Sequence, residues 1–369
     1  MRKRTIAIVT LVVIAGMGWV LIVFSSAVFI GYKKLTWADK STRLELIQSD
    51  NLESVPGVRV LDANNPFFKV TQREPNRIGI KWAETKLVLK NQTCRIAQLG
   101  TGMVMVMGQL NDDKEYPTII DTGNPMWLIV SDTVVADGKL EIYPIQEVDK
   151  DIGGFCHVSG VQIGDMAIIN PMCHYALGHY ERRVLGRTIW KQRDMNLGLG
   201  LIRKFLYVLI DNITCEVEFC TKGGFEAEPN ESWSQYSMSI EKDELDQERL
   251  MVYIPIAGQT RKVVFDTGFN CGLTTTEKIW EKLSDDLTML RIRNSRLATP
   301  EGIVACRKIT VEKLQVANAS INNAIIFVES IDTPFGEKFL TLGMGYFQDT
   351  VIVLDFERGL MWIKDPLSR

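Results

Sequence analysis

"VVFDTGFNCGLTTT" (residues 263–276) is the stretch on which the reading of this chain turns. An apolar strand pattern runs straight into Asp266-Thr267-Gly268. A carboxylate at the end of a hydrophobic run is costly to bury unless it is hydrogen-bonded or shares its charge. Upstream, "YPTIIDTGNPMWLIV" (116–130) does the same with Asp121-Thr122-Gly123. One Asp-Thr-Gly is what a tight turn uses, the Asp bonding to the backbone ahead and the Gly taking positive φ. Two copies in the same strand context, in two halves of one chain, need a joint explanation.

A second pair of segments supplies it. "MNLGLGLIRKFLYVLID" (195–211) and "LTLGMGYFQDTVIVLDF" (340–356) both carry Leu-Gly-apolar-Gly and then an apolar strand ending in Asp. Gly198 follows Asp121 by 77 residues, and Gly343 follows Asp266 by the same 77. Strand patterns resume after Asp211 and Asp355 as "ITCEVEF" and "GLMWIK". This is an internal duplication with a period of about 145 residues, far longer than a solenoid repeat, and it implies two similar lobes.

The remaining segments fit a mainly β chain. "GGFCHVSGVQIGDMAI" (153–168) reads as a hairpin, and 299–330 reads similarly, with turns expected at Pro300-Glu301-Gly302 and Asn322-Asn323. "TTEKIWEKLSDDL" (275–287) has helical spacing in Ile279, Leu283 and Leu287. "KFLYVLI" (204–210) and "DTVIVLD" (349–355) read as buried strands, and Trp127 as a core residue continuing the strand after its loop.

Composition bounds the alternatives. The chain has 369 residues, 46% apolar and 24% charged, which is globular and long enough for two domains. Its net charge is −3 and no block of basic residues occurs, which argues against nucleic acid as a partner. The first residues are different in kind. Thr5 to Tyr32 is an uncharged run of 28 residues, beyond the roughly 20 that span a bilayer core. Arg2, Lys3 and Arg4 on one flank and Lys33 and Lys34 on the other place the N-terminus in the cytoplasm by the positive-inside bias. The expected organisation is a cytoplasmic tip and transmembrane signal anchor at 1–35 and a juxtamembrane stalk, helical in part, at 36–65. An N-terminal lobe follows at 66–221, an inter-lobe connection at 222–250, and a C-terminal lobe at 251–369. The lobes would be extracytoplasmic, periplasmic or extracellular, with the membrane contacted through residues 5–32.

Seven cysteines occur, and an exported domain would let some of them pair, the odd count leaving one over. No C-x-x-C and no Cys/His cluster with zinc spacing appears among Cys173, His174, His179 and His157, so no metal is expected. Four N-x-[ST] sequons, at Asn91, Asn212, Asn230 and Asn318, read as chance matches. No G-x-S-x-G elbow points to a serine nucleophile.

Facing lobes would bring the two carboxylates together, and like charges a few ångströms apart share one proton. One then serves as general base on a water and the other donates to a carbonyl oxygen. With one Asp-Thr-Gly per lobe and an apolar-apolar-Gly segment behind each, residues 66–366 resemble the aspartic protease superfamily. The single chain with two lobes is similar to pepsin, and the lobe spacing to tandem retropepsin-like domains. The resemblance implies β-barrel lobes around a central cleft, a peptide or protein substrate, water as nucleophile, no cofactor, and no need for a homo-oligomer. It assigns Asp121 and Asp266 as the catalytic dyad, and Thr122, Gly123, Thr267 and Gly268 as support for the active-site loops. The Leu-Gly segments would pack beneath those loops, where a side chain at Gly198 or Gly343 would collide. The family places Ser, Thr or Ala after Asp-Thr-Gly; here stand Asn124, which can donate to a carboxylate, and Phe269, which either shapes a specificity pocket or turns into the core, and with Phe155 near a flap tip they are the candidate substrate contacts. The alternative is a catalytically inactive module of the same fold that binds peptides or a protein partner at the membrane.

Overall fold

The computed structural model describes residues 85–97, 102–111, 114–144, 154–176, 193–243, 247–299, 302–329 and 340–364. It also describes the backbone of strands Phe29–Tyr32, Arg43–Leu46, Arg59–Val60, Phe68–Glu74, Arg77–Trp82, Tyr180–Val184 and Arg187–Lys191. The protein is mainly β, with sheets that curl into a half-barrel.

The two halves use the same strand order. In the first, the labelled elements are β1 (Met105–Leu110), β2 (Lys114–Asp121), β3 (Leu128–Ser131), α1 (Asp132–Gly138), β4 (Ile142–Pro144), β5 (Gly154–Cys156), β6 (Cys173–Ala176) and β7 (Met195–Gly198). In the second they are β8 (Glu248–Ile256), β9 (Gln259–Asp266), β10 (Leu273–Thr276), α2 (Glu277–Leu283), β11 (Met289–Thr299), β12 (Gly302–Val316), β13 (Ala319–Glu329) and β14 (Leu340–Gly343). Across the sheet the first half runs β4-β5-β6-β3-β7-β2-β1 and the second β11-β12-β13-β10-β14-β9-β8.

Register repeats as well as order. β2 and β7 are parallel with Asp121 beside Gly198, and β9 and β14 are parallel with Asp266 beside Gly343. β3 pairs antiparallel with β7 through Leu128 and Leu197, and β10 with β14 through Leu273 and Leu342. In each half the sheet turns back on itself. The Gly160–Ile163 strand pairs with β1, and the far end of β12 touches β8 through Val316 and Ile256. The expected hairpin at 153–168 closes at Gly164-Asp165, between Gly160–Ile163 and Met166–Ile169.

The sequence explains these elements. β2 and β9 both end in three buried residues followed by a half-buried Asp, the continuous apolar run of a strand covered on both faces. α1 starts where the Ser131 hydroxyl accepts a hydrogen bond from Val134 N. α2 occupies the expected helical stretch, and Trp280 and Leu283 are its buried face. The two expected buried strands, Tyr207–Asp211 and Val351–Asp355, lie side by side, Leu209 opposite Val353. With Gln92–Arg95, Glu216–Cys220, Trp233–Lys242 and Leu360–Lys364 they build a sheet shared by both halves.

Some expectations change. The turn in the second half falls at Ala317-Asn318, with Ala317 at φ 53°, whereas Asn322 and Asn323 lie inside β13. The 222–250 connection is partly strand, because Trp233–Lys242 pairs with both Leu360–Lys364 and β8. Of the expected stalk, Arg43–Leu46 and Arg59–Val60 are described, as strands of a four-stranded sheet with Phe68–Glu74 and Arg77–Trp82; the rest of 36–65 lies outside the described residues. Of the expected membrane anchor, only Phe29–Tyr32 is described, and it is a strand antiparallel to Tyr180–Val184; the rest lies outside the described residues. No helix among the described residues is long and apolar enough to cross a membrane.

Candidate active site

β2 and β9 deliver the two Asp-Thr-Gly loops to one place. Thr122 and Thr267 are fully buried and lock the loops reciprocally. Thr122 N donates to Thr267 Oγ1 and Thr267 N to Thr122 Oγ1, both at 3.1 Å. Each hydroxyl then donates onward to the other half's backbone, Thr122 Oγ1 to Phe265 O at 2.7 Å and Thr267 Oγ1 to Ile120 O at 2.6 Å. Both threonines are thereby satisfied, as buried hydroxyls must be.

That lock sets the carboxylates face to face. A Cβ on Gly123 would stand 2.3 Å from Asp266 Oδ2, and one on Gly268 would stand 2.6 Å from Asp121 Oδ1. Each glycine therefore makes room for the carboxylate of the opposite half, which no other residue could do. The Leu-Gly segments brace the loops from behind. Leu199 N donates to Asn124 O at 2.7 Å, and Met344 N to Phe269 O at 2.8 Å.

The two carboxylates differ in their surroundings. Asp121 Oδ1 accepts from Gly123 N at 2.9 Å and Asn124 N at 3.0 Å, and its Oδ2 accepts from Asn196 Nδ2. Asn196 is itself oriented, since its Oδ1 accepts from Asn124 Nδ2 at 2.7 Å, and Asn124 Oδ1 accepts from Met126 N at 2.9 Å. A backbone N–H can only donate, so the chain Met126, Asn124, Asn196 runs in one direction and ends on an acceptor at Asp121. On Asp266, Gly268 N donates at 2.9 Å to Oδ1, and Phe269 N turns to Asp266 O at 3.3 Å. Thr341 stands where Asn196 does in the first half. Burial and the adjoining Asp121 carboxylate push the Asp266 pKa well above the usual range, against a smaller opposite pull from Arg249. A single proton held between the two carboxylates would relieve their repulsion.

Two residues that the sequence reading did not single out take part. Asn196 was visible only as a polar residue within an apolar run. Arg249, at the start of β8, crosses to the first half, where its Nη1 donates to Gly123 O at 2.6 Å. Asp243 holds the Arg249 guanidinium at 3.0 Å, and Arg203 bridges to Glu248 at 2.9 Å, so one charge pair also joins the halves.

The secondary assignments fare differently. Asn124 is 8% exposed and committed to the Asn196 network, so it supports the loop instead of facing a substrate. The half-buried Phe269 lays its ring on Gly343, whose added Cβ would stand 2.5 Å from Phe269 Cδ1. Phe155 is not at a hairpin tip. It is 1% exposed within β5, its ring edge-on to His174 at 4.7 Å, because the strand has entered the core by that point. The hairpin tip itself, 145–153, lies outside the described residues. Trp127 packs against the core with its indole over Gly200. Among the described residues no group of His, Cys, Asp and Glu is arranged to hold a metal ion. No family model and no curated protein matches this chain.

His174 itself gives a stability prediction. It is 4% exposed, its Nε2 meets no hydrogen-bond partner among the described residues, and burial lowers its pKa to about 4. The unfolded chain takes up this proton near the ordinary value of about 6.5, so it binds more protons than the native state between those limits. Stability therefore falls as pH drops through that window, by about 3 kcal/mol at its lower end. In His174→Phe, which installs the aromatic that β13 carries as Phe327, the acid arm of a melting-temperature profile should flatten. An unchanged acid arm would assign the loss to other groups.

Proposed function

We propose that this chain is an aspartic endopeptidase whose two β-barrel lobes enclose a cleft for an extended peptide. The observation that carries the reading is the placement of Asp121 and Asp266 against the opposite half's glycines, behind reciprocally bonded threonines. The facing carboxylates do not serve stability, because like charges set together repel each other. They serve chemistry that needs one acid and one base at the same spot.

The asymmetry distributes the roles. Asp121, held as an acceptor by three donors, takes a proton from a water placed between the carboxylates. The water oxygen attacks the scissile carbonyl carbon while Asp266 gives its proton to the carbonyl oxygen. The resulting diol collapses: one of its hydroxyls returns a proton to Asp266, the C–N bond breaks, and the amine leaves with the proton that Asp121 had taken. No covalent enzyme intermediate forms. The apolar run that precedes Phe29 supports tethering of the enzyme to a membrane, with its substrates near that surface.

Asn196 tests the assignment within this reading. A donor to a carboxylate favours its charged form, so Asn196 helps keep Asp121 ready as a base. Asn196→Leu should lower kcat roughly tenfold while KM stays close to the wild type's, the weight of a hydrogen bond to a charged group. An unchanged kcat, or a loss that appears only in KM, would make Asn196 merely structural.

A second reading keeps the fold and binds peptides without cleaving them. The observation that favours it is Phe269, which gives Asp266 no donor where Asn124 N serves Asp121. Restored cleavage in Phe269→Ser, from an inactive wild type, would select that reading.

A further inference from the structure

The duplication provides an internal control for the core, and against it one pair of facing residues changes chemistry together. In the second half, Ile309 of β12 faces Ile326 of β13, and both are fully buried. Ile326 is also the parallel partner of Leu273 on β10. In the first half the parallel partner of Leu128, the counterpart of Leu273, is Cys173 of β6. β5 runs antiparallel to β6 with Phe155 opposite His174, and one step further along that register puts Cys156 opposite Cys173. Where one half has two isoleucines, the other has two cysteines. Both are fully buried, and Cys156 Sγ lies 3.3 Å from Cys173 Sγ.

Two thiols fill far less space than two isoleucines, and a free thiol is a weak hydrogen-bonding group. As an apolar pair they are a poor replacement. As a covalent link they are a good one, because the described ladder between β4 and β5 is three residue pairs. β4 and β5 have three residues each, whereas β11 and β12 have 11 and 15. Three residues of ladder hold β5 to β4 weakly, and a cross-link to β6 would anchor the strand that returns from residues 145–153.

We propose that Cys156 and Cys173 are a disulfide site, closed by thiol–disulfide exchange when the chain folds in an oxidising compartment. In the reaction one cysteine thiolate attacks a small-molecule disulfide such as oxidised glutathione and releases one thiol. The second cysteine then attacks the mixed disulfide and releases the other. Two protein thiols are oxidised and one external disulfide is reduced to two thiols. Burial and the neighbouring Cys156 push the Cys173 thiol well above its usual range, so exchange is slow once the strands have closed. The bond forms while β5 is still open to solvent. The inference is independent of the reaction proposed above.

The test uses the full-length wild-type chain, folded in a glutathione redox buffer, alkylated, and digested without reduction. The expected result is a linked peptide pair containing Cys156 and Cys173 that disappears on reduction, with neither residue alkylated in the main population. Recovery of both cysteines as alkylated thiols, or of either one bridged to another cysteine, would overturn the proposal. Melting supplies a second readout. A reductant should lower the melting temperature of the oxidised wild type and leave Cys156→Ala/Cys173→Ala unmoved. An equal fall in both would show that the stabilising bridge is elsewhere.

Discussion

Asp266→Asn and Asp121→Asn are each expected to remove peptide hydrolysis, by about a thousandfold or more, while the fold stays intact. The size follows from the work assigned to each group, since a positioned acid or base contributes roughly 10²- to 10⁴-fold. The two substitutions remove different steps. Asn at 121 cannot take the water proton, and Asn at 266 cannot protonate the carbonyl oxygen. The fold survives because Thr122 and Thr267 lock the loops together and an Asn Oδ1 can still accept from the loop amides. Stability should in fact rise. The native pKa of Asp266 is raised, so the stability it contributes is complete below the unfolded value and is lost as pH climbs through the native one. At neutral pH the unfolded chain has released this proton and the native chain resists doing so. Asp266→Asn removes that penalty, and its melting temperature should exceed the wild type's at neutral pH and approach it in acid. Melting curves across pH together with cleavage rates check both halves of the statement. An inactive variant that is also less stable at neutral pH would mean that the carboxylate is structural.

Gly198→Ala is expected to destabilise the protein by about 3 kcal/mol, the upper end for over-packing. Its backbone is extended at φ −91°, which any residue adopts, so the cost is one of space alone. The added methyl would stand 2.1 Å from Met126 O and 2.7 Å from Asn124 O. Both are backbone atoms of the first Asp-Thr-Gly loop and cannot rotate away. To relieve the clash, Asn124 must move, and with it the amide that serves Asp121 and the side chain that orients Asn196. Activity should therefore fall further than the folded fraction does. Gly343→Ala meets Phe269 O at 2.4 Å and Cys271 O at 2.5 Å and should behave alike. Gly258→Ala is the control in the opposite sense. Its space is open, and any loss there comes from φ +77° alone. Denaturant midpoints for the three variants separate these causes, and a Gly198→Ala midpoint equal to wild type would show that the loop shifts freely.

What could be read from the residues was whatever repeats. The matched spacing of Asp121 to Gly198 and Asp266 to Gly343 corresponds to two parallel strand pairs with the same register, and those pairs anchor each half. Uninterrupted apolar runs such as 349–355 identified strands covered on both sides. What could not be read was whatever breaks the repeat. The Asn124–Asn196 network joins residues 72 apart in sequence, and an Asn inside "MNLGLG" does not announce which carboxylate it will reach. Arg249 bonds a carbonyl 126 residues away, and its role depends on the crossing of the halves. Phe155 misled because a glycine-rich stretch marks a hairpin but not which of its residues form the tip. Asn322-Asn323 is a strong turn signal, yet Ala317-Asn318 takes the turn because the paired strands on either side set where the chain reverses.

The most direct test of the central claim is cleavage of a diverse peptide library by the full-length protein, from acid to neutral pH, in water enriched in oxygen-18. The account predicts cleavage by the wild type, heavy oxygen in the newly formed carboxyl termini, block by a statine-type mimic of the diol, and none of these in Asp121→Asn. No cleavage at any pH by a protein shown to be folded, or equal cleavage by Asp121→Asn, would contradict it.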